Sequence, residues 1–391
     1  MDSDTLLPFT LPANETVQFW VTVDIPKDLP AGKYKAALRT TKGPVLALTI
    51  DVLPFALPPP PLEYSIYYRG KLSPHDGTVS SEYKNAQQLS ADLANIRRHG
   101  ITNPTVYQRF RPKFPRDGRS DREAQRLLKE ALATRQAQGL TSPDLYYLGR
   151  TTSNPTSPAE LAQLERDVRA VTKIAAGHGY RNTFFYGIDE ASGDILSSQR
   201  MAWSIVRSSG GRIFTAGRID ALADMGDLLD ALVYQGLPSA ELRSQAHATA
   251  ANVRMLSYDN PQSGPENPAV FRLNYGLRLW QSGFDGAMIY AFQHSMGNIW
   301  DDLDHPIYRD HALTYPTVDR PLDTLAWEGL REGIVDTQYV GAVESKASSC
   351  RSDAGLRARR YLTQLRDSVI VDPASVRSEL IDLALAMSPN C

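Results

Sequence analysis

Cysteine is almost absent from this 391-residue chain, which has only Cys350 and Cys391. That excludes a zinc ribbon or any other cysteine-built metal framework. It leaves open whether the two thiols pair and tie down the C-terminal tail or stay free. Long apolar runs are missing too, and no segment approaches the roughly 18 apolar residues of a membrane span. Nor does one sign of charge dominate. Forty-two Lys and Arg stand against 44 Asp and Glu, a formal net charge of −2. Bulk attraction to nucleic acid or to an anionic membrane is therefore not expected. The short basic stretch Arg109–Arg119 reads as a solvated loop, with an anion site as the alternative. The opening MDSDTLLPFTLPANETVQFW has neither a basic n-region nor an apolar core, so no secretory leader is expected within it. No Gly-x-Ser-x-Gly elbow and no Walker A loop occurs, which leaves serine-nucleophile and nucleotide chemistry without a motif.

What is present is an ordinary globular composition, 42% hydrophobic and 22% charged, with enough length for a large core. Residues 1–57 read as short strands. Val17–Val23 alternates, Lys33–Arg39 follows a Pro-Ala-Gly turn, and Val45–Leu53 is β-branched and apolar. Too few for a full sandwich, they suggest part of one. The Pro-rich segment 58–62 cannot continue a ladder and marks a domain boundary. From 63 to 345 strand-like and helix-like segments alternate. The strands are expected at Tyr64–Arg69, Ile101–Tyr107, Asp144–Gly149, Thr183–Asp189, Arg212–Ala216, Ala231–Gln235, Val253–Tyr258 and Gly286–Phe292. Helix signals fall between them. Ser157-Pro158-Ala159-Glu160 is a capping box with Pro at the first helical position, and Leu161, Leu164, Val168, Val171 and Ala175 repeat at helical spacing. Asn267-Pro268 opens a further helix. Eight strand–helix units predict a closed (β/α)8 TIM-type barrel. The remainder, 346–391, reads as a helical extension.

Barrel enzymes draw their working groups from the C-terminal ends of the strands and the loops beyond. Here those positions are Arg69, Tyr107, Asp189, Glu190, Tyr234, Gln235, Tyr258, Asp259, Tyr290, Gln293 and His294, followed by Trp300 and Asp301. Carboxylates, amides and aromatic rings suit a polyol, whose hydroxyls take polar contacts and whose C–H faces stack on rings. A glycan is thus the expected partner. Asp189 and Glu190 close the apolar run FFYGIDEA. Two carboxylates at one half-buried strand end would push one proton affinity up, as a general acid requires. The plainer alternative is that one of them merely caps a helix near Gly193. Trp300 fits sugar stacking or the buried anchor of its loop. His294, Asp301, Asp302, Asp304 and His305 lack the spacing of a known metal motif, so no metal and no cofactor is expected.

The sequence resembles the family 123 glycoside hydrolases. QFWVTVDIPKDLPAGKYKAAL resembles the strand-rich region before their barrel, and FFYGIDEA resembles their catalytic strand. The blocks FRLNYGLRLWQSGFDGAMIYAF, GNIWDD and WEGLREGIVDTQYV resemble their C-terminal half. The resemblance implies a retaining, exo-acting hydrolase of β-linked N-acetylgalactosamine, secreted or extracytoplasmic, that uses substrate assistance. Glu190 would then be the acid and base, and Asp189 would orient the 2-acetamido group. Two other readings stay open on the residues alone. One is a barrel glycosidase with Glu190 as acid and Asp259 as covalent nucleophile; the other is an inactive glycan-binding module.

Overall fold

The computed structural model describes residues 10, 12–17, 19–26, 28–39, 43–73, 78–112, 120–153, 157–264 and 267–387. Most of the basic stretch, 113–119, and Cys391 lie outside the described residues. The chain divides into two compact units, Pro60–Thr337 with Asp367–Pro373, and Thr5–Pro59 with Gln338–Arg366 and Ala374–Cys391.

The larger unit is built on seven strands: β1 (Glu63–Ile66), β2 (Asp144–Thr151), β3 (Asn182–Tyr186), β4 (Arg212–Gly217), β5 (Ala231–Tyr234), β6 (Arg254–Ser257) and β7 (Gly286–Ile289). They form one parallel sheet in the order β1-β7-β6-β5-β4-β3-β2. The segment 101–107, expected as a strand, is irregular. Pro104 has no N–H to give to a ladder, and a single parallel bridge, Val106 to Tyr147, forms. It still fills the gap between β1 and β2. Asn103 and Thr105 N–H donate to Tyr64 O and Ile66 O at 3.3 and 2.9 Å, and Val106 N–H donates to Tyr146 O at 2.8 Å. The cylinder therefore closes as a TIM-type barrel of seven regular strands and one irregular stave.

Strand alternation sorts the side chains between two cores. Tyr146, Phe184, Phe214, Val233, Leu256 and Met288 fill the barrel interior, while Tyr147, Phe185, Ile213, Leu232, Met255 and Ile289 pack outward against the helices. Each such fully buried side chain contributes roughly 1.5–3 kcal/mol. The helices start where the caps predict. Ser157 Oγ accepts from Glu160 N–H at 3.3 Å and Glu160 Oε2 from Ser157 N–H at 3.1 Å, opening Pro158–Gly177. Asn267 Oδ1 accepts from Val270 N–H at 3.2 Å, opening Pro268–Tyr275.

The N-terminal mouth of the barrel is plugged by charge. Arg254 Nη1 lies 3.1 Å from Glu63 Oε2, 2.9 Å from Asp144 Oδ2 and 2.8 Å from Tyr146 OH. Burial holds the Glu63 carboxyl above its ordinary range, although Arg254 and Asn103 oppose the shift.

In the smaller unit, Gly32–Leu38 and Leu46–Val52 pair antiparallel, from Gly32 opposite Val52 to Leu38 opposite Leu46. Among its described residues this ribbon is the only sheet, and none of those in 17–23 is in a strand. The described residues of the expected partial sandwich form this one hairpin, with mostly exposed residues. Three helical segments join it. Phe55 packs edge-on to Tyr339 at 6.4 Å, Lys346 lies over the Phe55 ring, and Lys346 Nζ donates to Ala384 O at 2.8 Å. Cys350 is buried and disulfide-bonded. No helix among the described residues is long and apolar enough to cross a membrane.

Candidate active site

At the C-terminal mouth a cavity of about 420 Å³ opens, within the range of small-molecule sites. Tyr67, Arg69, Tyr107, Leu148, Tyr186, Asp189, Glu190, Ala216, Tyr258, Gln262, Tyr290, Tyr308 and His311 line it. The only carboxylates among these are Asp189 and Glu190.

Their shared direction needs an explanation, since neighbours on a strand point to opposite faces. The strand β3 stops at Tyr186, three residues earlier than expected. Gly187 follows, where an added Cβ would meet Trp203 at 2.6 Å, so the chain runs hard against the helix layer and turns. Ile188 O accepts from Thr215 Oγ1 at 2.5 Å, and Glu190 N–H donates to Ala216 O at 3.1 Å, which anchors the turn to β4. Glu190 itself has φ +48°. A left-handed backbone at a residue with a Cβ costs roughly 1–2 kcal/mol. That conformation brings both carboxylates to the same cavity.

Each carboxylate is held by a phenol. Tyr186 OH donates to Asp189 Oδ1, and Tyr258 OH donates to Glu190 Oε1. Burial, and then neighbouring anions and phenols, push both tyrosines far above their ordinary range, so they stay protonated donors. Neither carboxylate forms an ion pair among the described residues. Both are exposed to solvent, where the sequence reading expected partial burial. The protein leaves them wet, so any drying of the pair must come from a ligand that covers them. The helix-capping alternative finds no bond: Ser192 is the N-cap residue of Gly193–Ser197, and no side chain caps that helix.

The cavity wall is aromatic and basic. Tyr67 packs edge-on to Tyr290 at 5.2 Å and to Tyr186 at 6.4 Å. Arg69 lies 5.2 Å from the Tyr107 ring centre and donates to Glu82 at 2.8 Å and to Tyr290 OH at 3.4 Å. Although burial pushes the Glu82 carboxyl up, Lys71 and Arg69 hold it down at about 2. Behind the wall, Tyr290 OH and His294 Nδ1 are 2.7 Å apart. Burial, then Arg69, lower His294 to about 4.

The expected site residues divide. Arg69, Tyr107, Asp189, Glu190, Tyr258 and Tyr290 line the cavity; Tyr234, Gln235, Asp259, Gln293, Trp300 and Asp301 do not. Tyr234 is buried edge-on against Phe284. Gln235 N–H continues the β-ladder to Gly217 O at 2.9 Å, and Asp259 is half-buried. Gln293 is spent on Lys84 and Thr314 at 2.7 and 2.9 Å. Trp300 stacks on Tyr315 at 5.8 Å, and Asp301 accepts from Leu303 N–H at 3.1 Å within its own loop. Both serve the loop. Tyr67 and Tyr186, which sequence reasoning missed, sit near the ends of inward-facing strand rows. Counting back two residues from Arg69 and three from Asp189 would have found them. Glu82 and Tyr308 come from loops and His311 from the two-residue strand His311–Ala312, and none carries such a signal.

Fold and cavity together define a parallel α/β barrel with a carboxylate pair at its C-terminal mouth. No protein-family model and no curated protein matches the chain. Among solved structures it is similar to a family 123 glycoside hydrolase from Clostridium perfringens, described for glycolipid glycan hydrolysis. The identity is 13%, the TM-score is 0.65, and the match covers 92% of this chain and 77% of that one. At that identity the likeness is one of fold. An exo-β-1,4-mannosidase from Opitutaceae bacterium strain TAV5 matches at 14% identity and a TM-score of 0.46, over 71% of this chain and 60% of that one, too loosely to weigh.

Proposed function

We propose that the chain is a glycoside hydrolase acting on β-linked N-acetylhexosamine, GalNAc-like, by a retaining, exo-acting, substrate-assisted mechanism. The observation that carries it is the emergence of Asp189 and Glu190, each on its own tyrosine hydroxyl, into one aromatic-walled basin. The fold shared with a family 123 glycoside hydrolase supports it.

Glu190 is the acid. It gives its proton to the glycosidic oxygen as the bond from C1 to that oxygen breaks. The substrate's own 2-acetamido carbonyl oxygen forms the new bond to C1, and Asp189 accepts the amide N–H and balances the positive charge of the cyclic intermediate. Glu190, now a carboxylate, takes a proton from water as the water opens that ring at C1, which returns the starting stereochemistry. This differs from the usual pair of acid and nucleophile, in which a second carboxylate attacks C1. Asp259 is the residue the rival mechanism requires. It is absent from the cavity wall, which favours assistance. The tyrosines supply ring faces for the sugar's C–H surfaces. The buried, disulfide-bonded Cys350 is in keeping with an extracytoplasmic compartment.

The deciding experiment compares aryl β-glycosides that carry a 2-acetamido group with their 2-hydroxy analogues. Turnover of the first alone, with inhibition by a thiazoline mimic of the cyclic intermediate, is the expected result. Equal turnover of both would end the assisted reading, and saturable binding with no turnover of either would end the enzyme reading.

A further inference from the structure

Away from the basin, one grouping among the described residues brings three metal-ligating side chains together. His99, Asp323 and Glu328 each offer a donor atom within 4.8 Å of the others. His99 closes the helix Ala86–Arg98, Asp323 ends the short strand Pro321–Asp323, and Glu328 lies in the first turn of Leu325–Ser349. The imidazole is 1% exposed. Its Nδ1 lies 2.9 Å from Asn95 O. A carbonyl can only accept, which places a proton on Nδ1. Nε2 has no hydrogen-bond partner, yet it faces Glu328 Oε1 at 3.5 Å and Asp323 Oδ2 at 3.7 Å. A buried ring nitrogen left without a hydrogen bond between two acids is costly. A cation between them removes the cost.

The spacings are long for hydrogen bonds. The two measured from Nε2 are close to the edges of a ligand tetrahedron, roughly 3.3 Å when bonds to zinc are about 2.0–2.2 Å. The outer atom of each side chain is also engaged, as ligands usually are. Nδ1 donates to Asn95 O, Asp323 Oδ1 accepts from Asn95 Nδ2 at 2.6 Å, and Glu328 Oε2 pairs with Arg331 at 2.7 Å. The carbonyl end of the helix Ala86–Arg98 adds partial negative charge beside His99. One charge competes directly. Arg98 Nη2 is 3.4 Å from Asp323 Oδ2, but its side chain is 57% exposed and can turn to water.

The geometry points to a zinc-type divalent cation site formed by His99 Nε2, Asp323 Oδ2 and Glu328 Oε1, with water as the fourth ligand. Its role is structural: it staples the helix after β1 to the start of Leu325–Ser349. The test uses the tag-free full chain, stripped with chelator and titrated with zinc chloride. We expect one equivalent bound by calorimetry, a Tm rise on the order of 5 °C, and the visible bands of four-coordinate cobalt(II) on substitution. His99→Asn and Glu328→Gln should each abolish all three. Arg98→Gln should tighten binding by about three- to tenfold, since it removes a competing charge. No stoichiometric binding by the stripped wild type overturns the site, as does wild-type affinity in both His99→Asn and Glu328→Gln. So does an Arg98→Gln variant that loses stability with its zinc response unchanged, the behaviour of a plain ion-pair network. Should His99→Asn not fold, Glu328→Gln and Arg98→Gln decide. Hydrolysis enters none of these readouts, so the site stands or falls apart from the proposed activity.

Discussion

The two mouths of the barrel hold the same kinds of side chain and treat them in opposite ways. At the N-terminal mouth, Glu63 and Asp144 share Arg254, and Tyr146 and Asn103 take up further lone pairs. At the C-terminal mouth, Asp189 and Glu190 have no cation among the described residues, are open to water, and rest on phenols beside a left-handed backbone. Carboxylates with satisfied partners hold a fold together. Carboxylates left open at the mouth of a cavity are accessible to whatever ligand enters it.

The contrast can be broken most severely at the open mouth. Glu190→Gln should lower kcat on an aryl 2-acetamido glycoside by on the order of 10³–10⁴-fold with Tm unchanged, and Asp189→Asn should lose nearly as much. Steady-state kinetics beside calorimetry check this, and a parallel loss of Tm would place the pair in the fold instead. At the closed mouth the pattern should invert. Arg254→Met strands two acids and should cost about 3 kcal/mol of stability, while kcat below the new melting point stays within about twofold. Urea titration reads the first number.

Smaller changes sharpen the comparison. Tyr258→Phe removes one charge-assisted hydrogen bond, worth about 1.5–3 kcal/mol, so kcat should fall roughly 10–100-fold with KM little changed. A rise in KM alone would make Tyr258 a binding residue only. His294 gives the open mouth a pH signature. Burial and Arg69 hold it at about 4, below the ~6.5 of an unfolded histidine. Between those values the unfolded chain takes up a proton that the native chain refuses. Stability from this group is therefore full above about pH 6.5 and is lost as the pH falls towards 4. A Tm series across that range should slope downward on acidification, and His294→Gln should flatten it; identical slopes would exonerate the histidine. Smallest of all, Trp300→Ala should change kcat less than about threefold, because the ring stacks on Tyr315 away from the cavity.

Much of the fold was legible along the chain because its signals are local. Ser157 and Asn267 start helices by bonding their own backbone, and Phe184 and Phe185 part to opposite faces because a strand has period two. Pro104 was the visible warning that 101–107 would not pair regularly. The strand ends were harder. Chemistry-bearing residue types were recognised at Gln293 and Tyr234, but their side chains are consumed by Lys84, Thr314 and Phe284, partners remote in sequence. Likewise Tyr258 became the support of Glu190 only when β6 was brought to the same mouth as β3, whereas Tyr186 bonds Asp189 only three residues away.

Composition, caps and periodicity by themselves determined that this chain alternates strand with helix, and that two acids close its FFYGIDEA segment. Those features depend on neighbours a few residues apart. Closure of the cylinder, the left-handed turn that aims both acids into one hollow, and the pairing that silences Glu63 and Asp144 were decided by tertiary structure. Each depends on segments tens to hundreds of residues apart meeting at a few ångströms, which no local pattern records.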